Sequence, residues 1–88
     1  MHSISIYQPV TVELPAGSSR DALPVAFWWR NRRYDVAGYG RTWRADEDDE
    51  PWQCHLAQTR RGDTTELRRH LHTGEWQLAR AWWRETVV

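Results

Sequence analysis

Apolar and polar side chains alternate with a period of two along most of this chain, and in several segments the apolar position is a tryptophan. That pattern is the signature of half-buried β-strands, and helical periodicity is nearly absent. Ile4, Ile6, Val10, Val12 and Leu14 fall on even positions, with Pro9 marking an edge or a bend. Val25, Phe27 and Trp29 alternate with Ala26, Trp28 and Arg30. Trp52, Cys54 and Leu56 alternate with Gln53 and His55, and Thr65, Leu67, Arg69 and Leu71 with Glu66, Arg68, His70 and His72. Residues 75–84 place Trp76, Leu78 and Trp82 opposite Ala79, Ala81 and Trp83; their Ala, Leu, Arg and Gln content also suits a short helix.

Breaker residues divide the strands. Residues 15–24 combine Pro, Gly, Ser and Asp and read as a loop. Asn31 tolerates positive φ, so we expect strands 24–30 and 33–39 to pair through a tight turn centred on Asn31 and Arg32. Gly38 and Gly40 allow a bulge or sharp bend before a strand at Arg41 to Ala45. The acidic run Asp46 to Glu50 with Pro51 reads as a loop, and residues 60–63 and 73–75 as turns. We expect all-β architecture: about six antiparallel strands in a meander, forming a small curled sheet or an SH3-like barrel. Curling or closure removes the open edges that invite aggregation.

With 88 residues the chain reads as a single domain spanning 1–88. A chain this short buries about 60–65% of its surface, and each buried aromatic removes roughly 150–250 Å² from water. Seven tryptophans therefore stand in for a scarce supply of Leu and Ile. The single cysteine, Cys54, precludes an intrachain disulfide and points to a reducing, cytoplasmic setting. The first residues lack a basic segment followed by an apolar one, so no secretory signal is expected. No apolar run approaches the roughly 20 residues of a membrane span.

The formal net charge is zero, and all twelve basic residues are arginine. The acidic run holds five of the twelve carboxylates, which leaves twelve basic against seven acidic residues elsewhere, a net of +5. A basic face is therefore compatible with the neutral total. In the hairpin "FWWRNRRYDV" the alternation turns Phe27 and Trp29 inward and Trp28 outward, beside Arg30, Arg32 and Arg33. A ring flanked by guanidinium groups suits base stacking and phosphate contact, as in single-strand binders. Neighbouring strand residues point to opposite faces, so the pairs Arg60-Arg61 and Arg68-Arg69 add one side chain each per face. The candidate binding set is Trp28, Arg30, Arg32, Arg33, Arg61 and Arg68.

Other chemistries have less support. His70 and His72 share a strand face, but a structural zinc site needs four ligands and no second spaced pair exists. The acidic run lacks the spaced ligands and internal Gly of a calcium loop. Arg61-Gly62-Asp63 reads as a turn and not as an adhesion motif. There is no phosphate-binding Gly-rich loop, nucleophile elbow or lysine for Schiff-base chemistry. We expect neither catalysis, nor a cofactor, nor a metal.

In order along the chain, "PVTVEL", "PVAFWWRNRRYDV", Trp43, "PWQCHLA", "TTEL" and "GEWQLARAW" resemble a family of small tryptophan-rich actinobacterial domains of unassigned function. The family's hallmarks are an aromatic-x-Trp-Arg-Gly-Arg-x-Tyr hairpin and a closing Gly-x-Trp-x-Leu-x-Arg strand. Here Asn31 replaces the hairpin Gly, and the insertion that many members carry before a Trp-x-Val strand is reduced to the acidic run. The resemblance covers about residues 9–83. Similar domains occur alone or C-terminal to proteins resembling Y-family, error-prone DNA polymerases. The resemblance implies a link to translesion DNA synthesis. With the residue reading above, we expect a non-enzymatic module accessory to it, with single-stranded DNA or a protein of the polymerase complex as partner. The alternative is a structural, self-associating domain, a homodimer through Trp82, Trp83, Val87 and Val88.

Overall fold

A computed structural model describes residues 3–19 and 21–84. It contains six strands: β1 (Ile4–Glu13), β2 (Ala26–Trp29), β3 (Arg32–Glu47), β4 (Glu50–Thr59), β5 (Thr64–His70) and β6 (Trp76–Trp82). Each pairs antiparallel with the next, and β1 returns to pair with β6, so the meander closes into a barrel. Residues 76–82 are thus a strand, and the helical alternative falls away: hydrogen-bonded neighbours on both sides outweigh local helix propensity. Among the described residues no helix is long and apolar enough to cross a membrane.

Two tight hairpins set the shape. The β2–β3 turn is Arg30–Asn31, one residue earlier than expected, because Trp29 pairs directly with Arg32. Both turn residues have positive φ, 52° and 62°, as the twist-matched two-residue hairpin requires. The acidic run is not a loop. Asp46 and Glu47 finish β3, Glu50 opens β4, and only Asp48 and Asp49 turn, again with positive φ (51° and 65°). Asp, like Asn, is among the few non-Gly residues that accept this geometry readily. Register shifts at Val36/Gly38 and Tyr39/Thr42 bend the long β3. One strand therefore pairs with β2 through Arg32 to Asp35 and with β4 from Val36 onward.

The interior holds Phe27, Tyr34, Ala57, Leu67, Trp76 and Leu78, with Val10, Val12, Trp29, Val36 and Trp83 packed around them. Phe27 and Tyr34 stack at 5.1 Å. Strand β4 presents its less apolar face inward. His55 lies opposite Leu67 and beside the Trp76 ring, and Ala57 lies opposite Thr65. Its tryptophan and cysteine point the other way, yet Trp52 and Cys54 are buried. A second, external cluster covers them, built around Arg68.

Candidate functional site

The alternating strand directions decide which side chains meet. The β2–β3 turn, the β4–β5 turn and the end of β6 share one mouth of the barrel. The acidic β3–β4 turn and the β5–β6 turn share the other. Formal neutrality thus conceals a basic mouth and an acidic tip.

At the basic mouth Trp29 stacks on Trp83 at 5.5 Å, and Trp83 meets Tyr34 at 5.6 Å. The indole N–H of Trp29 donates to Gln8 at 2.8 Å, so this half-buried ring is fixed. Arginines ring the aromatic cluster. The Arg30 guanidinium lies 4.5 Å from the Trp29 ring centroid, and Arg32 and Arg61 approach Tyr34 at 5.7 and 6.0 Å. Arg84 closes the rim, donating to the Arg61 carbonyl at 3.4 Å. Among the described residues, Arg30, Arg32 and Arg61 have no carboxylate within ion-pair distance. Their guanidinium carbons lie over rings, and among the described residues their side-chain N–H groups make no hydrogen bond, which leaves them available to an anion.

Asp63 anchors this end. Its carboxylate is buried, accepts the backbone N–H of Arg84 at 2.6 Å and contacts the Thr59 hydroxyl at 3.2 Å. The Arg61-Gly62-Asp63 tripeptide is therefore a turn whose acid faces inward.

The five arginines and one tryptophan expected at a binding surface separate into three environments. Arg30, Arg32 and Arg61 converge at the mouth. Trp28 and Arg33 lie together on the outside of β2 and β3, with the guanidinium 4.9 Å from the ring centroid. Arg33 is engaged by both Glu13 oxygens at 3.2 and 3.0 Å and by Asp35 at 2.8 Å. Those bonds hold the Glu13 carboxyl below its ordinary range and push the guanidinium's pKa further up.

Arg68 is elsewhere and is not free. Only 7% exposed, it lies 3.9 Å from the Trp52 ring centroid and 4.8 Å from that of Tyr7. It donates to Glu47 at 2.5 Å and to Gln77 at 3.0 and 2.8 Å. Tyr7 reaches this position from a bulge in β1, at a φ of 51°. Arg68 therefore does not join the rest of the candidate set, because β4 and β5 carry its side chain to the outer face beside Cys54.

His70 belongs to the external cluster. Its Nδ1 accepts the backbone N–H groups of His72 and Thr73, which leaves Nε2 to donate to Glu50. Both ring nitrogens are occupied. Cys54 lies on the outer face and His55 on the inner, so they form no nucleophile–base pair. Burial, reinforced by Glu66, pushes the Cys54 thiol up to about 11. Burial and the nearby Arg69 push His55 below its ordinary value. Among the described residues, no group of His, Cys, Asp and Glu is arranged to hold a metal ion.

Of the C-terminal aromatics expected to mediate self-association, Trp83 is half-buried in the mouth's own stack and Trp82 is half-buried opposite Thr64. Val87 and Val88 lie outside the described residues. Trp29, Tyr34 and Arg84 do not stand out as site residues in the sequence, and Trp83 points there to self-association and not to this mouth. Strand parity is the signal that locates them, since in a six-strand meander alternate turns share an end.

The molecule is a small closed antiparallel barrel with an arginine-rimmed aromatic mouth. No family model, curated protein or solved structure matches the chain.

Proposed function

We propose that this is a non-enzymatic module that binds single-stranded DNA through the basic mouth. The observation that carries the reading is the set Arg30, Arg32 and Arg61, held against Trp29 and Tyr34 with no carboxylate partner among the described residues. Guanidinium groups fixed on rings suit phosphate oxygens, since little freedom is lost on binding. Segregation of charge matters more than the neutral total, because phosphate is bound by the local field. The opposite, acidic end disfavours wrapping by a long duplex. The resemblance to domains found beside Y-family polymerase-like proteins supplies the setting, as an accessory to translesion synthesis.

Two of the mouth's rings are tryptophans, so intrinsic fluorescence reports on it directly. Titration with single-stranded oligonucleotides should quench emission at about 10 μM or below at low salt, and the affinity should fall as salt rises. Absence of quenching and of binding under those conditions overturns the DNA reading and moves the assignment to a protein of the polymerase complex.

A further inference from the structure

Beside the mouth, β1 and β2 part company. Their pairing runs from Glu13↔Ala26 to Thr11↔Trp28 and stops, while β1 continues along β6 from Val10↔Trp76. The β2–β3 hairpin therefore projects past its last partner and leaves an open groove of about 660 Å³. Pro9, Val10 and Thr11 line one side, and Trp28, Arg30 and Asn31 the other. Arg30 belongs to both the groove and the mouth.

Trp28 differs from its neighbour Trp29. The Trp29 ring is stacked on Trp83, and its N–H is taken by Gln8. Trp28 is also half-buried, but among the described residues its N–H makes no hydrogen bond and its ring lines the groove. Arg33 packs on this ring and is itself clamped by Glu13 and Asp35, so the indole is held in place before any ligand arrives. Charge is uneven around Trp28. Two carboxylates outweigh one guanidinium behind the ring at Arg33, whereas Arg30, which lines the groove, has no carboxylate within ion-pair distance among the described residues.

We infer that the groove is a base-stacking subsite, in which one unpaired nucleobase lies on Trp28 while an adjoining phosphate sits on Arg30. The inference rests on the nucleic-acid reading of the mouth and adds the reason for strand selection. The carboxylates behind Arg33 repel phosphate from one end of the ring, and Arg30 attracts it to the other. Bases within a duplex are already stacked and cannot lie on Trp28, so occupancy of the groove demands an unpaired strand.

The test is a titration of the full chain with oligothymidylate, with an abasic sugar–phosphate strand of the same length, and with the thymidylate–adenylate duplex. All three carry phosphate, and only the first offers free bases. We expect the abasic strand and the duplex to bind roughly tenfold more weakly or worse, the order of one stacked base. Trp28→Leu should erase the difference between the base-bearing and abasic strands, and Trp28→Phe should keep part of it. The ratio of those two affinities within one variant does not depend on the fraction folded. Equal binding of the base-bearing and abasic strands by the unaltered chain overturns the subsite and leaves the phosphate-binding mouth standing. Failure of every strand to bind overturns the nucleic-acid reading and the subsite with it.

Discussion

Arg68 and Arg30 each lie against a tryptophan, at 3.9 and 4.5 Å from the ring centroid, yet they serve opposite ends. Arg68 sits between two rings, is buried, and spends its N–H groups on Glu47 and Gln77. Arg30 occupies an exposed turn and has no acidic partner among the described residues. An arginine on a ring is therefore not by itself a sign of binding. Burial and the nearest carboxylate decide whether the cation holds the fold together or remains open to a ligand.

Removing Arg68 should produce the largest effect on stability. Arg68→Ala withdraws the side chain that covers Trp52 and leaves Glu47 without its cation. Breaking a fully buried pair costs about 3–5 kcal/mol. Because the Glu47 carboxylate is half-exposed and keeps some water, about 2–3 kcal/mol is the expectation. Urea unfolding measures it, and single-strand affinity of the folded protein should not change. A loss of affinity at unchanged stability would erase the contrast with the mouth.

The reverse profile is expected at the mouth. Arg30→Ala, Arg32→Ala and Arg61→Ala should each alter stability by no more than about 0.5 kcal/mol. Each should lower the slope of log affinity against log salt by about 0.7, the value of one single-strand phosphate contact. An unchanged slope in all three would place the phosphates elsewhere.

A smaller effect tests the unusual inward face of β4. His55 titrates below its ordinary value of 6.5 in the folded barrel, so the unfolded chain takes up the proton first. Its contribution is complete above the unfolded value and is lost as pH falls from about 6.5 through the folded value. His55→Gln should flatten the pH dependence of stability in that window, as followed by thermal unfolding. An unaltered profile would show that another group governs it.

The external cluster should also be chemically silent. Cys54 is 1% exposed, and its thiol is pushed up to about 11, so little thiolate exists at neutral pH. A thiol-reactive disulfide reagent should leave the native protein unmodified and label it stoichiometrically in denaturant. Rapid native labelling would mean that the cover over Cys54 opens readily.

Alternation and turn chemistry by themselves determined that the chain makes strands, roughly where they lie, and that a two-residue hairpin forms near Asn31. These are local properties: the pleat has a period of two, and few residues accept positive φ. The exact turn was missed by one residue because Arg30 has no intrinsic preference for its φ of 52°. Closure of Trp29 on Arg32 imposes that conformation. The acidic run read as a loop because five carboxylates disfavour burial. In the barrel, Arg68 and His70 engage Glu47 and Glu50, so the strands extend almost to the tip.

The site was legible only in fragments. Arg30, Arg32 and Arg61 were chosen from composition and spacing, but their meeting at one mouth follows from strand order and closure. Alternation set Trp28 beside Arg30, Arg32 and Arg33, but only Arg33 lies on its ring, while Arg30 and Arg32 pack on Trp29 and Tyr34. Asp35 is Arg33's neighbour along β3, whereas Glu13 comes from β1 and reaches Arg33 only because β1 and β3 both pair with β2. Arg68 carries the same residue type in the same kind of strand and is withdrawn from solvent by Tyr7, Glu47 and Trp52, contributed by three other strands. A side chain's neighbours along the strand are a local matter. Its partners across the barrel depend on register and closure, and these are settled by how all six strands bury their apolar faces at once.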